Sequence, residues 1–209
     1  MIREKRWFPI LYMFLVTVFF STLIIGFTRF TGERVEANQK LSFESAVLGV
    51  LPELSNQAGG MDIHRQFTEN ILPPDSTTAG AYTFQQNGRI LAYILPVSGQ
   101  GFWAPIKGIM GIQPDRRTVT GIAFYEQNET PGLGAEIAKE PFRQQFSGLI
   151  LAAEGQPIGI RRPDASLGKN EVHAVTGATQ TSTRLEKIIN SALQQWRDKM
   201  EGIAVEKQE

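Results

Sequence analysis

The sequence predicts an α+β protein: one N-terminal transmembrane helix followed by a single extracytoplasmic domain with an antiparallel sheet flanked by helices. Three observations carry that expectation. A run of 22 residues from Trp7 to Thr28 holds no charge, two hairpin patterns occupy the middle of the chain, and one long amphipathic helix pattern lies near its end. Sheet-forming stretches grouped together, with helices before and after them, are the arrangement that packs helices on an antiparallel sheet.

The uncharged run comes first. As a helix, 22 residues rise about 33 Å, close to the hydrocarbon thickness of a bilayer. A cleaved signal peptide would have a shorter apolar region and a small-x-small cleavage site, and "GFTRFTGERVE" offers none. A retained anchor is therefore expected. Trp7 and Tyr12 suit the headgroup level, and Pro9 is tolerated in a first helical turn. Arg3, Lys5 and Arg6 make the first six residues net positive. The positive-inside rule then places the N-terminus in the cytoplasm of a bacterium and everything after Thr28 on the periplasmic side of the inner membrane.

The elements then follow in order. "ERVEANQKLSFESAVLGVLPEL" has Ala46, Val47, Val50 and Leu51 at helical spacing, so a second helix, continuous with the anchor, should run up to Pro52. Residues 55–80 are rich in Gly, Pro, Ser, Asn and Thr and are expected to be irregular. "AYTFQQNGRILAYILPV" reads as two strands joined by an Asn87-Gly88 turn, and "IKGIMGIQPDRRTVTGIAFYEQ" as a second pair turning at Gln113–Arg117. "GAEIAKEPFRQQFSGLI" predicts one or two short helices, with a strand near Ile158–Arg161. Finally Leu185, Ile188, Ile189, Ala192, Leu193 and Trp196 form one helical stripe. The expected organisation is an anchor over 1–28, a helical and loop connector over 29–80 and a domain over 81–209.

Composition removes several classes of function. Setting aside the first six residues leaves 18 basic against 20 acidic residues, a net of −2. Such a body has no electrostatic reason to bind nucleic acid, and Arg116-Arg117 and Arg161-Arg162 read as solvated turns. Absence of cysteine excludes disulfides, thiol catalysis and cysteine-ligated metal centres, and two distant histidines, His64 and His173, make no metal site. Redox chemistry in this chain would need an organic cofactor.

Two motifs remain. In "AVTGATQTSTRLEKI", Thr183-x-x-Glu186 matches a capping box, and Thr181 or Ser182 could equally cap the final helix. The preceding Thr176-Gly177-Ala178-Thr179 is harder to explain as a cap. Thr179, expected about one turn before the helix, has a hydroxyl with only small neighbours, open to modification by another enzyme. A phosphate placed there would face a helix N-terminus, where free N–H groups favour an anion. In "YEQNETPGLGAEI", Pro131-Gly132 reads as a type II turn with Gly132 at the positive-φ position. That leaves Glu129, Thr130 and Gly134 without a structural task.

The two motifs, with the anchor, "GQGFWAPIKG" and "QQFSG", make the chain resemble the FMN-binding domain family along essentially its whole length. Members include the NqrC component of the sodium-translocating NADH:quinone reductase and the RnfG component of the Rnf complex. The resemblance implies FMN joined covalently through its phosphate to the last threonine of the motif, here Thr179, by a separate flavin transferase that uses FAD and a divalent cation. It implies flavin contacts from Thr130 and Leu133 in the loop formed with Glu129, Gly132 and Gly134, and Thr176, Gly177, Ala178, Thr181 and Ser182 around the phosphate end. The implied function is a membrane-anchored subunit relaying electrons within an ion-translocating respiratory complex, with other subunits as partners and no complete active site of its own. Two departures stand out: His173 occupies a position where relatives often carry Asp, and Phe142 and Leu149 stand where Trp and Lys are usual. A stand-alone extracytoplasmic FMN carrier, or a non-redox anchored binding module in which both motifs are turns, are the competing readings.

Overall fold

The computed structural model describes residues 7–54 and 60–206, with the side chains of the last two left out. The positive stretch Met1–Arg6, on which the expected orientation rests, lies outside these residues. The chain divides into two compact units, Met1–Lys40 and Leu41–Glu209.

The first unit is the N-terminal part of α1, which runs unbroken as Phe8–Leu48. At 41 residues it is about 60 Å long. It is long and apolar enough to cross a membrane, with a mean hydropathy of 2.4 over its most apolar window. Phe14, Phe19, Phe20, Leu23, Ile24 and Phe27 all expose their side chains. The expected continuity of anchor and following helix is what the structure shows.

In the second unit a five-stranded antiparallel sheet runs in simple sequence order: β1 Ile71–Leu72, β2 Tyr82–Gln86, β3 Arg89–Gln100, β4 Pro105–Ile112 and β5 Val119–Glu126. Asn87 and Gly88 join β2 to β3 with φ of 51° and 73°, the two left-handed conformations of a type I′ turn. The second hairpin turns over Gln113–Thr118, where the Asp115 carboxylate accepts from the amides of Arg117 and Thr118. Those bonds and the Thr118 hydroxyl act against partial burial to hold the Asp115 pKa below the ordinary carboxylate range.

Both faces of the sheet are covered. On one face α4, Thr179–Glu206, packs Leu185, Ile189, Leu193 and Trp196 against Leu95, Val97, Ile106, Met110 and Ile112. On the other, Ala46 and Val47 from the end of α1, with Val50 and Leu51, pack on Phe84, Ala92, Ile94, Ile109 and Ala123. Alternate residues of β3 thus serve opposite cores, as the two-residue period of a strand requires. Trp196 also donates its indole N–H to the Thr78 carbonyl, so a buried polar group is satisfied at the far end of the same stripe.

The structure departs from expectation in three places. Within residues 55–80, expected to be irregular, Gly60–Asn70 forms α2 and Ile71–Leu72 pairs with β2 as β1. Tertiary packing overrides its composition: Phe67 stacks edge-on to Phe43 and against Tyr82, and Asp62 sits in the first turn where the dipole favours an acid. A second small sheet pairs β6 Gly159–Arg161 with β7 Glu171–His173 in parallel. The expected strand is there, whereas β7 is too short to show a period. The third departure, at the start of α4, concerns the site.

Truncating the stripe tests this packing. Leu193→Ala should cost about 2–5 kcal/mol, seen as a lower urea midpoint for the full chain in detergent when Trp196 emission is followed.

Candidate functional site

A cleft of about 320 Å³ opens where the loop before β4, the loop after β5 and the first turn of α4 meet. Its walls are Phe102 and Trp103 from the first, Thr130, Leu133 and Gly134 from the second, and Gly177 to Thr181 from the third. The volume lies at the low end of the roughly 300–1,000 Å³ usual for ligand sites. Trp103 is 66% exposed, Leu133 43% and Phe102 41%, so the apolar wall is open to solvent.

Beneath the cleft lies Glu129, 5% exposed. One carboxylate oxygen accepts from the Trp103 amide at 3.1 Å and the other from the Thr181 hydroxyl at 2.7 Å. The same side chain therefore ties the three segments that build the cleft. The close fit explains the glycines beside it. A Cβ on Gly134 would lie 2.5 Å from Thr181 Oγ1 and 2.9 Å from the Glu129 side chain, and one on Gly101 would lie 2.5 Å from Glu129 Oε1. Thr130 receives the Trp103 indole N–H at 3.1 Å, and its carbonyl accepts from the amides of Leu133 and Ala135. Gly132 has φ of 76°, as the type II turn requires.

The third segment begins differently from expectation. α4 starts at Thr179, with the Ala178 carbonyl accepting the first helical bond from the Ser182 amide. Thr181–Thr183 are thus inside the helix and do not cap it. Their side chains are drawn elsewhere: Thr181 to Glu129, while Glu186, the supposed partner of a capping box, accepts from the Ile160 amide and from Arg161. The residue in the cap position is Ala178, which has no side-chain oxygen. Among the described residues no acceptor is found for the amides of Thr179, Gln180 and Thr181. The exposed Thr179 hydroxyl consequently belongs to the first turn of a 28-residue helix whose leading N–H groups are open.

Of the other sequence-selected residues, Thr176 and Gly132 are exposed outside the cleft, Ser182 is buried with an unpartnered hydroxyl, and Glu129 is buried behind the lining. His173 ends β7; its backbone pairs with the Gln145 amide group and its Nδ1 lies 3.2 Å from the Arg162 carbonyl. Glu171 braces the loop between β6 and β7. The Gly168 amide and then the Arg161 guanidinium hold its pKa below the ordinary value. Sequence reasoning missed Phe102, Trp103, Gln180 and Arg184. The adjacent aromatics in "GQGFWAP", just before a strand, were the available signal.

A family model described as the FMN-binding domain matches residues 101–194, which include every residue lining this cleft. Those 94 residues, a little under half of the chain, are similar to the FMN-binding domain family. Relatives agree. The chain is 33% identical over 111 residues to the NqrC component of the Na(+)-translocating NADH-quinone reductase of Pasteurella multocida, covering 52% of this chain and 41% of that one. It is 40% identical over 100 residues to the corresponding protein of Neisseria meningitidis serogroup A, covering 46% and 38%. The matched stretch thus spans about two-fifths of the length of these relatives. The crystal structure of NqrC from Parabacteroides distasonis superposes with a TM-score of 0.64 at 22% identity, covering 82% of this chain and 96% of that one. NqrC of Shewanella oneidensis gives 0.63 at 17%, covering 80% and 99%. At such identities these two structures establish a shared fold.

Glu129→Ala should strand the buried Thr181 hydroxyl, at about 1–3 kcal/mol, and also release the part-buried Trp103 amide. Gly134→Ala should cost about 1–3 kcal/mol by overpacking. Denaturant unfolding of both variants checks these losses. Retention of wild-type stability in Glu129→Ala would remove Glu129 as the tie between segments.

Proposed function

We propose that this chain is a membrane-anchored flavoprotein subunit that carries FMN covalently on Thr179 and relays electrons within an ion-translocating complex of the NADH-quinone reductase type. The observation that carries the proposal is the position of the Thr179 hydroxyl. It opens into a cleft within the stretch that matches the FMN-binding domain model, on the first turn of α4, beside helix amides that have no acceptor among the described residues.

The residues present fit FMN. The open amides of Thr179, Gln180 and Thr181 and the positive end of α4 suit its phosphate. Gly177 and Ala178 leave room beside that group, and Leu133, Phe102 and Trp103 offer apolar and aromatic surface to a flat ring. When bound, the flavin supplies reversible electron uptake and release. The protein's part is to hold the phosphate end and leave part of the ring accessible. Attachment requires the Thr179 oxygen to bond the FMN phosphorus of FAD while the pyrophosphate bond breaks, with AMP leaving and the hydroxyl proton released. On this reading a separate flavin transferase with its divalent cation carries out that exchange.

That the relatives are NqrC proteins supports the quinone-reductase type over the Rnf type and implies further subunits as partners. The apolar α1 and the basic Met1–Arg6 support an inner-membrane anchor with the N-terminus in the cytoplasm and the domain outside.

Expression with a flavin transferase should give a denatured gel band that fluoresces as flavin, and an intact mass raised by one FMN less one water. Thr179→Ala should abolish both signals; Thr179→Ser should keep a fraction. If the wild-type chain shows neither signal, covalent attachment is wrong; a colourless protein whose Thr179→Ala variant behaves normally is the non-redox binding module.

A further inference from the structure

Arg184 lies in the second turn of α4, off the stripe that packs on the sheet. Its Cζ sits 5.9 Å from the centroid of the Phe102 ring. Its Nε is buried and no oxygen or nitrogen accepts from it. Among the described residues Arg184 forms no ion pair, so the face of Phe102 is the group that compensates for this desolvation. Phe102 cannot form side-chain hydrogen bonds. Besides Arg184 it meets the ring of Trp103, edge-on with the centroids 4.8 Å apart. Trp103 in turn is fixed through its indole N–H to Thr130. The chain of contacts therefore runs from α4 through two aromatic rings to the loop after β5.

We infer that Arg184 is a positioning residue of the cleft: its guanidinium holds the Phe102–Trp103 pair as an aromatic wall and sets a fixed positive charge behind it. The charge has a further consequence, which rests on the reading of the cleft as a flavin site. Reduction adds electron density to the ring, so a nearby cation favours the reduced form and raises the midpoint potential.

The test uses the full chain in detergent with ¹⁵N-labelled tryptophan. Proton exchange is followed at the Trp103 indole, which donates to Thr130, and at the Trp196 indole, which donates to Thr78 and serves as an internal control. Arg184→Gln should speed Trp103 exchange roughly two- to fivefold and leave Trp196 unchanged. Arg184→Lys, which keeps the charge but loses the planar face, should also speed it. Unchanged Trp103 exchange in both variants, or equal acceleration at Trp196, would overturn the positioning role. In flavin-loaded protein Arg184→Gln should lower the midpoint potential while Arg184→Lys stays near wild type; an unmoved potential in Arg184→Gln removes the electrostatic role. If the wild-type chain takes up no flavin, the flavin reading and the charge effect fall together, and indole exchange still decides the wall.

Discussion

The buried carboxylate of Glu129 is the group on which the geometry of the cleft depends. Its two oxygens accept from a backbone amide before β4 and from a hydroxyl on α4, while its own backbone belongs to the loop after β5. Three segments distant in sequence meet because one side chain has two acceptor sites that burial withdraws from solvent. A buried carboxylate is costly unless its oxygens are hydrogen-bonded. The surrounding glycines follow from the same requirement, since neither Gly101 nor Gly134 has space for a Cβ beside it. Small residues at these positions are a consequence of where the carboxylate sits.

The start of α4 follows from this arrangement. Had Thr181, Ser182 or Thr183 capped the helix, the amides of the next residues would have been occupied by a side-chain oxygen. Glu129 draws the Thr181 hydroxyl away, and the β6 backbone together with Arg161 draws Glu186 away. The helix extends back to Thr179, begins on an alanine with nothing to offer as a cap, and leaves its first amides without an acceptor among the described residues. A helix of 28 residues packed along β3 tolerates an uncapped end, because its stability comes from the Leu185–Trp196 stripe.

Much of this was legible in the sequence. The Asn87-Gly88 turn fixes the first hairpin through its need for two positive φ angles, and the apolar stripe from Leu185 to Trp196 names the face that meets the sheet. The uncharged run from Trp7 to Thr28 likewise declares a helix of membrane-spanning length. The two motifs were legible as a pair, and the family match covers both. What could not be read was the competition for hydroxyl and carboxylate groups. A Thr-x-x-Glu spacing looks the same whether its members bond each other or residues elsewhere in the fold, and only the fold decides between them. The parallel β6–β7 pair was equally hidden, since three residues carry no measurable alternation. Phe102 and Trp103 were visible as letters, but their exposure beside the motif loops depends on the Glu129 tie.

The open character of the cleft bears on why a covalent link would be useful. A ligand held without a bond must recover its lost translational and rotational freedom from contacts, which favours deep burial. A cleft of about 320 Å³ with a tryptophan 66% exposed on its rim provides little of that. On the proposed reading, attachment at Thr179 separates retention from enclosure: the phosphate end is fixed by a bond, and the ring needs only enough contact to orient it. The wall of Phe102 and Trp103 can then stay at the surface, where electrons can pass to and from a partner without the flavin having to leave. Enclosing the ring would strengthen binding and obstruct that exchange, so an exposed aromatic wall braced from behind by Arg184 suits a tethered carrier better than a sealed pocket would.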